Sequence, residues 1–141
     1  MKRLSGVFLD SNVILYLLSA DAAKADTAET LLTHQPTISV QVLNEVTSVC
    51  QRLLKLDWPQ ILDLLDAIKA NCKVVALTVD THAKALEVAQ QHQLSFYDAH
   101  IISAAIFSGA HTLISEDMQH GVTIQGVQIH NAFTHPRLLR K

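Results

Sequence analysis

The chain contains few residues that break or cross-link a polypeptide. Among 141 residues there are only four glycines, three prolines and two cysteines. Scarce glycine and proline favour a compact, helix-rich domain, and no repeat, low-complexity tract or linker interrupts the sequence. Cys50 and Cys72 do not form a CxxC metal-binding pair, so we expect them to be reduced thiols of the core.

Long apolar runs and an excess of positive charge are also missing. No run reaches the roughly 20 residues that span a bilayer, and the N-terminus lacks the apolar region and cleavage site of a signal peptide. These absences predict a cytoplasmic protein without a membrane partner. The net charge is −2, from 13 acidic and 11 basic residues, so the overall charge does not indicate nucleic-acid binding. A polyanion would have to bind through local basic patches and metal ions.

What the chain does contain is hydrophobic residues, at 49% of the sequence. This content excludes a disordered protein, and the length predicts a single domain, residues 1–141, that can bury a core. Apolar strand patterns are predicted at 7–10, 37–40, 73–77, 112–115 and 127–130. Helical patterns are predicted at 12–18, 22–33, 41–54, 57–71, 80–92 and 98–108. Strands that alternate with helices predict an α/β fold, with a parallel five-stranded sheet covered by helices on both faces.

Acidic residues recur where these strands end or where the following helices begin. They are Asp10, Glu45, Asp98 and the adjacent pair Glu116 and Asp117. In an open parallel sheet the carboxyl ends of the strands share one edge, and ligands bind there. The acids are therefore expected to converge, although they are far apart in the sequence.

Each acid also has an ordinary explanation. Asp10 and Asp98 have the residue type that caps helices, Glu45 lies on a polar helix stripe, and Glu116 and Asp117 suit a turn. Four acids at corresponding strand exits nevertheless favour a site, because independent placement would scatter them. Clustered carboxylates repel one another until they gain protons or a cation, and Mg²⁺ prefers oxygen ligands. Such an ion binds phosphates and activates water, which is the chemistry of phosphodiester hydrolysis.

Four stretches occur in this order along the chain: "FLDSNVILYLL", "ISVQVLNEV", "SFYDAHIISAA" and "TLISEDMQHG". Together they resemble the PIN-domain family, and in particular the toxin ribonucleases of VapBC-type toxin–antitoxin systems. The resemblance implies a three-layer α/β/α fold with a mostly parallel sheet, in which "GVQIHNAF" forms the closing strand. It also implies an endoribonuclease that uses Mg²⁺, or Mn²⁺ in its place, and cuts single-stranded RNA or a tRNA or rRNA loop. Toxins of this family usually form homodimers and are silenced by an antitoxin protein.

The resemblance also assigns roles to individual residues. It implies catalytic roles for Asp10, Glu45, Asp98 and Asp117, and we expect Asp10, Asp98 and Asp117 to contact the metal. Asn12 and Ser115 match supporting positions of the family, and Glu116 is expected to lie beside the site. Candidate contacts to RNA are Arg52, Lys55, His120 and the basic tail formed by Arg137, Arg140 and Lys141.

Three other functions fit the sequence less well, and a fourth stays open as an alternative. An aspartyl-phosphate phosphatase needs a second acid two residues after the first, where this chain has Asn12. A response-regulator receiver domain needs paired acids early in the chain and a lysine at a later strand end, and Ser115 and Glu116 occupy that end. The eight histidines show no HExxH or similar zinc spacing. The remaining alternative is a PIN-like module that binds RNA or protein without catalysis.

Overall fold

A computed structural model describes residues 6–136, and within that range the strands form one sheet. The strands are β1 (Val7–Leu9), β2 (Thr37–Ser39), β3 (Lys73–Val75), β4 (Thr112–Ile114), β5 (Thr123–Ile124) and β6 (Val127–His130). Their order across the sheet is β3-β2-β1-β4-β6-β5, and every neighbouring pair is parallel except β5 with β6. The predicted α/β fold with a mostly parallel sheet is confirmed.

Six α-helices connect these strands. They are α1 (Ser11–Leu15), α2 (Ala22–Thr33), α3 (Val40–Arg52), α4 (Trp58–Asn71), α5 (Val79–His92) and α6 (Phe96–Phe107), and a 3₁₀ turn, Tyr16–Leu18, follows α1. Helices α5 and α6 pack extensively against each other, and α3 contacts both α1 and α4. The sequence supplies a cap for each start, as at α4, where Asp57 and Gln60 form a capping box and Pro59 lies in the first turn.

The central strands are buried on both faces. In β1, Val7, Phe8 and Leu9 are at most 2% exposed although successive side chains point to opposite faces of the sheet. In α6, seven consecutive residues from Ala99 to Ala105 are buried. A strand without polar alternation is typical of a parallel sheet covered by helices, so β1 could be recognised from its apolar run.

The strand order reverses at β1, because the strands that come next in the chain lie on one side of β1 and the later ones lie on the other side. This reversal creates a crevice beside the end of β1. The chain runs first to β2 and β3 on one side and returns later to β4 on the other side. Leu9 pairs with Ile114, and the Asp10 N–H continues this pairing by donating to the Ile114 carbonyl at 3.0 Å. The residues that follow β1 and β4 are thereby held side by side at the switch point, where open α/β sheets bind ligands.

The prediction of five strands was wrong by one. The additional strand, β5, is only two residues long and forms an antiparallel hairpin with β6. Gln125 and Gly126 connect the two strands with φ values of 46° and 85°, the backbone conformation that a two-residue hairpin loop requires. Two residues are too few to show strand periodicity, and therefore the sequence pattern did not reveal this strand.

Several predicted boundaries also differ from the structure. Helix α6 begins at Phe96 rather than Asp98, because the Ser95 hydroxyl accepts the Asp98 N–H and caps it. Helix α1 begins at Ser11 rather than Asn12, is capped by Asp10, and ends at Leu15 before the 3₁₀ turn. The first four predicted strands extend one or two residues too far, whereas β6 has its predicted bounds.

Two expectations from composition can be compared with the described part of the chain, and a third falls outside it. Within residues 6–136 no helix is long and apolar enough to cross a membrane. Cys50 and Cys72 are free thiols, Cys50 buried and Cys72 partly buried, and burial raises the pKa of both, that of Cys72 to about 12. The basic tail of Arg137, Arg140 and Lys141 lies outside the described residues.

Candidate active site

Asp10 directly follows β1 beside the end of β4 and is only 5% exposed. One carboxylate oxygen, Oδ1, accepts the Ser11 N–H at 2.7 Å, which caps α1. The other, Oδ2, accepts the Ser115 hydroxyl at 2.9 Å and the Asn12 side-chain amide at 3.4 Å. Both oxygens are thus held by neighbours, so the orientation of the carboxylate is fixed.

Asn12 and Ser115 connect β1 and β4 beyond the ends of these strands. The Asn12 amide also donates to the Ser115 hydroxyl oxygen at 3.4 Å, and its carbonyl oxygen accepts the Glu116 N–H at 3.3 Å. The Ser115 hydroxyl oxygen in turn accepts the Met118 N–H at 3.3 Å. These bonds fix the turn that carries Glu116 and Asp117 relative to Asp10.

The electrostatic environment of Asp10 opposes its ionisation. The pKa of Asp10 is raised from 3.8 to about 6, chiefly by burial and to a smaller extent by the negative charges of Glu45 and Asp98. Hydrogen bonds from Ser115 and Ser11 lower the pKa without cancelling the effect of burial. The site therefore holds a carboxylate in an environment where a cation would be favourable.

Glu45 comes from the second turn of α3, and polar groups on each side hold it. Its Oε1 accepts the Ser11 hydroxyl at 2.7 Å, and its Oε2 accepts the Gln41 amide at 3.3 Å. Asp98, in the first turn of α6, is close enough for its charge to influence Asp10. The charges of Glu45 and Asp98 thus both act on Asp10, although the three residues follow different strands.

The side chains of Glu116 and Asp117, the two adjacent acids after β4, lie in different environments. The Glu116 carboxylate accepts the Tyr16 hydroxyl on Oε1 and forms an ion pair with Lys24 at 3.3 Å on Oε2. The Lys24 ammonium also lies 3.3 Å from the Tyr16 hydroxyl oxygen and 4.6 Å from the centre of its ring. Asp117 is exposed and lines the cleft with Ser11, Asn12 and Glu45. Its position is the one suited to a ligand bound in the cleft.

This difference predicts unequal effects of removing the two charges. If the site performs the metal-dependent RNA cleavage that the family resemblance implies, Asp117→Asn should lower the cleavage rate by more than about tenfold, a loss comparable with that of other groups that orient a bound metal. Glu116→Gln should change cleavage by less than about threefold, because it removes one partly exposed ion pair and keeps an acceptor for Tyr16. Single-turnover cleavage assays of both variants at equal Mg²⁺ measure the difference. Equal losses would show that Glu116 also serves the metal.

The cleft has a volume of about 600 Å³ and extends from Asp117 along one side of α3. Arg52, a predicted RNA contact, lines its far end. Lys55, the second predicted contact, is exposed just after α3 and is not part of the lining. His120, the third, is exposed elsewhere, where its ring stacks on His135 at 3.6 Å and its Nδ1 accepts the Asn131 N–H. Of these three predicted RNA contacts, only Arg52 lines this cleft.

The donor chemistry of the site fits a hard divalent cation. Glu45 and Asp117 line the cleft, and the charges of Glu45 and Asp98 help to raise the pKa of the buried Asp10 carboxyl. Within residues 6–136 no three His, Cys, Asp or Glu side chains are close enough together to enclose an ion. The predicted ligands Asp10, Asp98 and Asp117 are therefore not gathered into a three-carboxylate site within that range. Mg²⁺ usually binds one or two carboxylates and retains several waters, so it would bind here through fewer of them or through water.

The sequence did not reveal several residues that surround the site. The Ser11 hydroxyl binds Glu45, and Tyr16 and Lys24 hold Glu116. His100 is buried in α6, two residues after Asp98. Its Nδ1 is the one buried side-chain nitrogen or oxygen without a hydrogen-bond partner among the described residues. The spacing of polar residues on α3 was the one sequence signal for these surroundings. The other contacts join elements that are distant in the chain, and local patterns do not predict such contacts.

Comparison with known proteins supports the family resemblance. A search of curated proteins found no match. A toxin–antitoxin complex from Klebsiella pneumoniae superposes with a TM-score of 0.67 at 20% identity, covering 86% of this chain and 94% of that one. VapBC2 from Rickettsia felis, solved with a DNA fragment from its promoter, gives 0.66 at 19% identity, covering 89% and 97%.

A third solved structure is VapC20 from Mycobacterium tuberculosis, described as a toxin that cleaves the sarcin–ricin loop. It gives a TM-score of 0.61 at 23% identity, covering 76% of this chain and 86% of that one. At these identities the three structures show a shared fold. The family model of the PIN domain matches residues 7–121, a span that includes all four predicted catalytic acids. The chain therefore belongs to the PIN domain family.

Proposed function

We propose that this protein is a metal-dependent endoribonuclease that hydrolyses RNA phosphodiester bonds. The observation that carries the proposal is the buried Asp10 carboxylate, held at the switch point of a PIN domain with its pKa raised to about 6 and with further carboxylates beside it. Such a concentration of negative charge in a crevice is costly unless a cation binds there. Mg²⁺, with Mn²⁺ as a substitute, is the cation proposed.

Individual residues of the chain would have different roles in catalysis. Asp10, Asp98 and Asp117 would hold the cation directly or through water, and Glu45 would complete the site. When bound, the cation supplies Lewis acidity toward the phosphate and lowers the pKa of a water. Ser115 and Asn12 keep the Asp10 carboxylate in one orientation, and Ser11 and Gln41 do the same for Glu45. Fixed ligands of this kind reduce the reorganisation required during the reaction.

We further propose that the protein is the toxin of a type II toxin–antitoxin pair. The folds shared with the Klebsiella complex and with Rickettsia VapBC2 support this proposal, since both structures contain toxin–antitoxin proteins. A cognate antitoxin and a homodimeric state are the partners proposed with it. Expression of the protein alone should arrest growth of a host cell, and coexpression of a small protein encoded beside it should restore growth.

Removal of the metal is the first test of the proposed chemistry. Purified protein should cut labelled single-stranded RNA or a tRNA pool in Mg²⁺ or Mn²⁺, and excess EDTA should reduce cleavage to background. Hydrolysis by water would leave 5′-phosphate and 3′-hydroxyl ends, whereas attack by the RNA 2′-hydroxyl would leave a cyclic phosphate. Cleavage that continues unchanged in EDTA would contradict the metal mechanism. RNA binding without cleavage under every metal condition would favour the non-catalytic module instead.

A further inference from the structure

An exposed aromatic ring borders the acidic cleft and has no role in the fold core. Tyr97, in the first turn of α6, is 63% exposed and lines the same cleft as Glu45 and Asp117. Its ring packs edge-to-face on Phe96, with centroids 5.7 Å apart, so one side is supported from within the protein. A large aromatic surface that is left in water beside a charged site is suited to stacking against a planar ligand.

The opposite wall of the cleft is a polar stripe on α3. Gln41, Asn44, Glu45, Ser48 and Arg52 lie on this wall at helical spacing. Glu45 and Arg52 are two turns apart, so the stripe extends about 10 Å from the carboxylates to the guanidinium. The charge thus changes sign along the cleft. The acids at one end can bind a cation, and the Arg52 guanidinium at the other end can bind a phosphate.

We propose that Tyr97 stacks an unpaired RNA base next to the cleaved bond, while Arg52 contacts a phosphate of the same strand. This inference rests on the proposed ribonuclease function and identifies how it selects its substrate. Stacking on an aromatic ring tolerates any base but requires the base to be unpaired, because a paired base has both faces covered in the duplex. The cleft would therefore select single-stranded RNA or an open loop over double-stranded RNA.

The cleft combines hydrogen-bonding groups with apolar surface, and both suit an RNA strand. The hydrogen-bonding groups come from Ser11, Asn12, Asn44 and Ser48, and the apolar surface comes from Leu15, Val49 and the Tyr97 ring. Amides and hydroxyls can contact sugars, bases and phosphates, and the apolar surface can cover a stacked base.

The inference is tested by measuring RNA binding to variants that also carry Asp10→Asn, which is expected to prevent cleavage during the measurement. The protein with Asp10→Asn alone is the parent. The probe is a fluorescent oligonucleotide of adenosine and uridine that forms no hairpin, measured by anisotropy in Mg²⁺. Tyr97→Ala should weaken binding by about 5- to 150-fold, the range found for loss of one stacked base, and Tyr97→Phe should bind like the parent because it retains the ring. Arg52→Gln should weaken binding and reduce the slope of affinity against salt by about one.

Phe107→Ala is the matched control, because Phe107 is 54% exposed on the same helix but does not line this cleft. It should bind as the parent does, and both alanine variants should keep the parent unfolding temperature. Equal affinity of Tyr97→Ala and Phe107→Ala, or equal weakening by Tyr97→Ala and Tyr97→Phe, would overturn the stacking role. If the parent binds no RNA and the wild type cuts none, the proposed function itself fails. Pairing the probe with its complement should weaken binding to the parent more than to Tyr97→Ala.

Discussion

Asp10→Asn should reduce metal-dependent RNA cleavage by more than about 100-fold, because even groups that only orient metal ligands contribute 10- to 100-fold. The substitution is almost isosteric and removes the charge that the cation is proposed to neutralise. Asparagine also retains a side-chain oxygen that can accept the Ser11 N–H and cap α1. The loss should therefore appear in the rate of a single turnover at saturating RNA, without a loss of folded protein.

The control for this experiment is Asp63→Asn, which makes the same chemical change at an exposed position of α4. That variant should cut RNA at the wild-type rate. Rescue of Asp10→Asn by higher Mg²⁺ or Mn²⁺ would indicate weakened metal binding rather than loss of the reaction. Cleavage by Asp10→Asn at the wild-type rate in ordinary Mg²⁺ would refute the assignment of Asp10 to the site.

The second large effect is expected on stability, and it has the opposite sign. In metal-free buffer above pH 7, Asp10→Asn should unfold at a higher temperature than the wild type. The raised pKa of about 6, against 3.8 for a free aspartate, corresponds to a penalty on the order of 3 kcal/mol for the buried charge. Because the amide satisfies the hydrogen bonds less well, a net gain of about 1–2 kcal/mol is expected, or roughly 2–8 °C in Tm for a domain of this size.

The pH dependence of this effect follows from linkage. The folded protein holds the Asp10 proton more tightly than the unfolded chain, so its contribution to stability is fully present below pH 3.8. The contribution is lost as the pH rises through about 6, and above that value the penalty is constant. The difference in Tm between Asp10→Asn and wild type should therefore grow between about pH 4 and pH 6 and then level off.

Added Mg²⁺ provides an independent check on the same group. It should raise the Tm of the wild type at pH 7.5, because an ion that binds only the folded state stabilises it. The effect on Asp10→Asn should be much smaller, and Asp63→Asn should respond as the wild type does. A wild type that is more stable than Asp10→Asn in EDTA at pH 7.5 would show that its hydrogen bonds outweigh the cost of burying the charge.

Local sequence patterns were sufficient to predict most of the fold. The apolar run of β1 and the alternation of strand and helix patterns predicted a parallel sheet, because burial on both faces leaves a continuous apolar segment. Capping residues located helix starts within a few positions, as at Asp57 and Thr78. The hairpin of β5 and β6 was missed because a two-residue strand has no measurable period, and its Gln125–Gly126 loop was the only signal.

The candidate site was predictable as a set of acids but not as an arrangement. Parallel strands bring their carboxyl ends to one edge, so the positions of Asp10, Glu45 and Asp98 in the sequence implied their proximity. Within the segment "SEDM" only the family resemblance favoured Asp117 over Glu116, because the residue types alone do not separate the two acids. Lys24 and Tyr16 distinguish them, and both lie about a hundred residues earlier in the chain.

The sequence by itself therefore determined the family, the type of sheet and the residues that supply negative charge. Only the tertiary structure decided that Asp10 is both a helix cap and a buried carboxylate with a raised pKa, that Glu116 is paired with Lys24, and that Tyr97 faces the cleft. The physical reason is the range of the interactions involved. Periodicity and capping act between residues a few positions apart, whereas desolvation, charge–charge repulsion and the lining of a cleft depend on distances in space between residues that are remote in the chain.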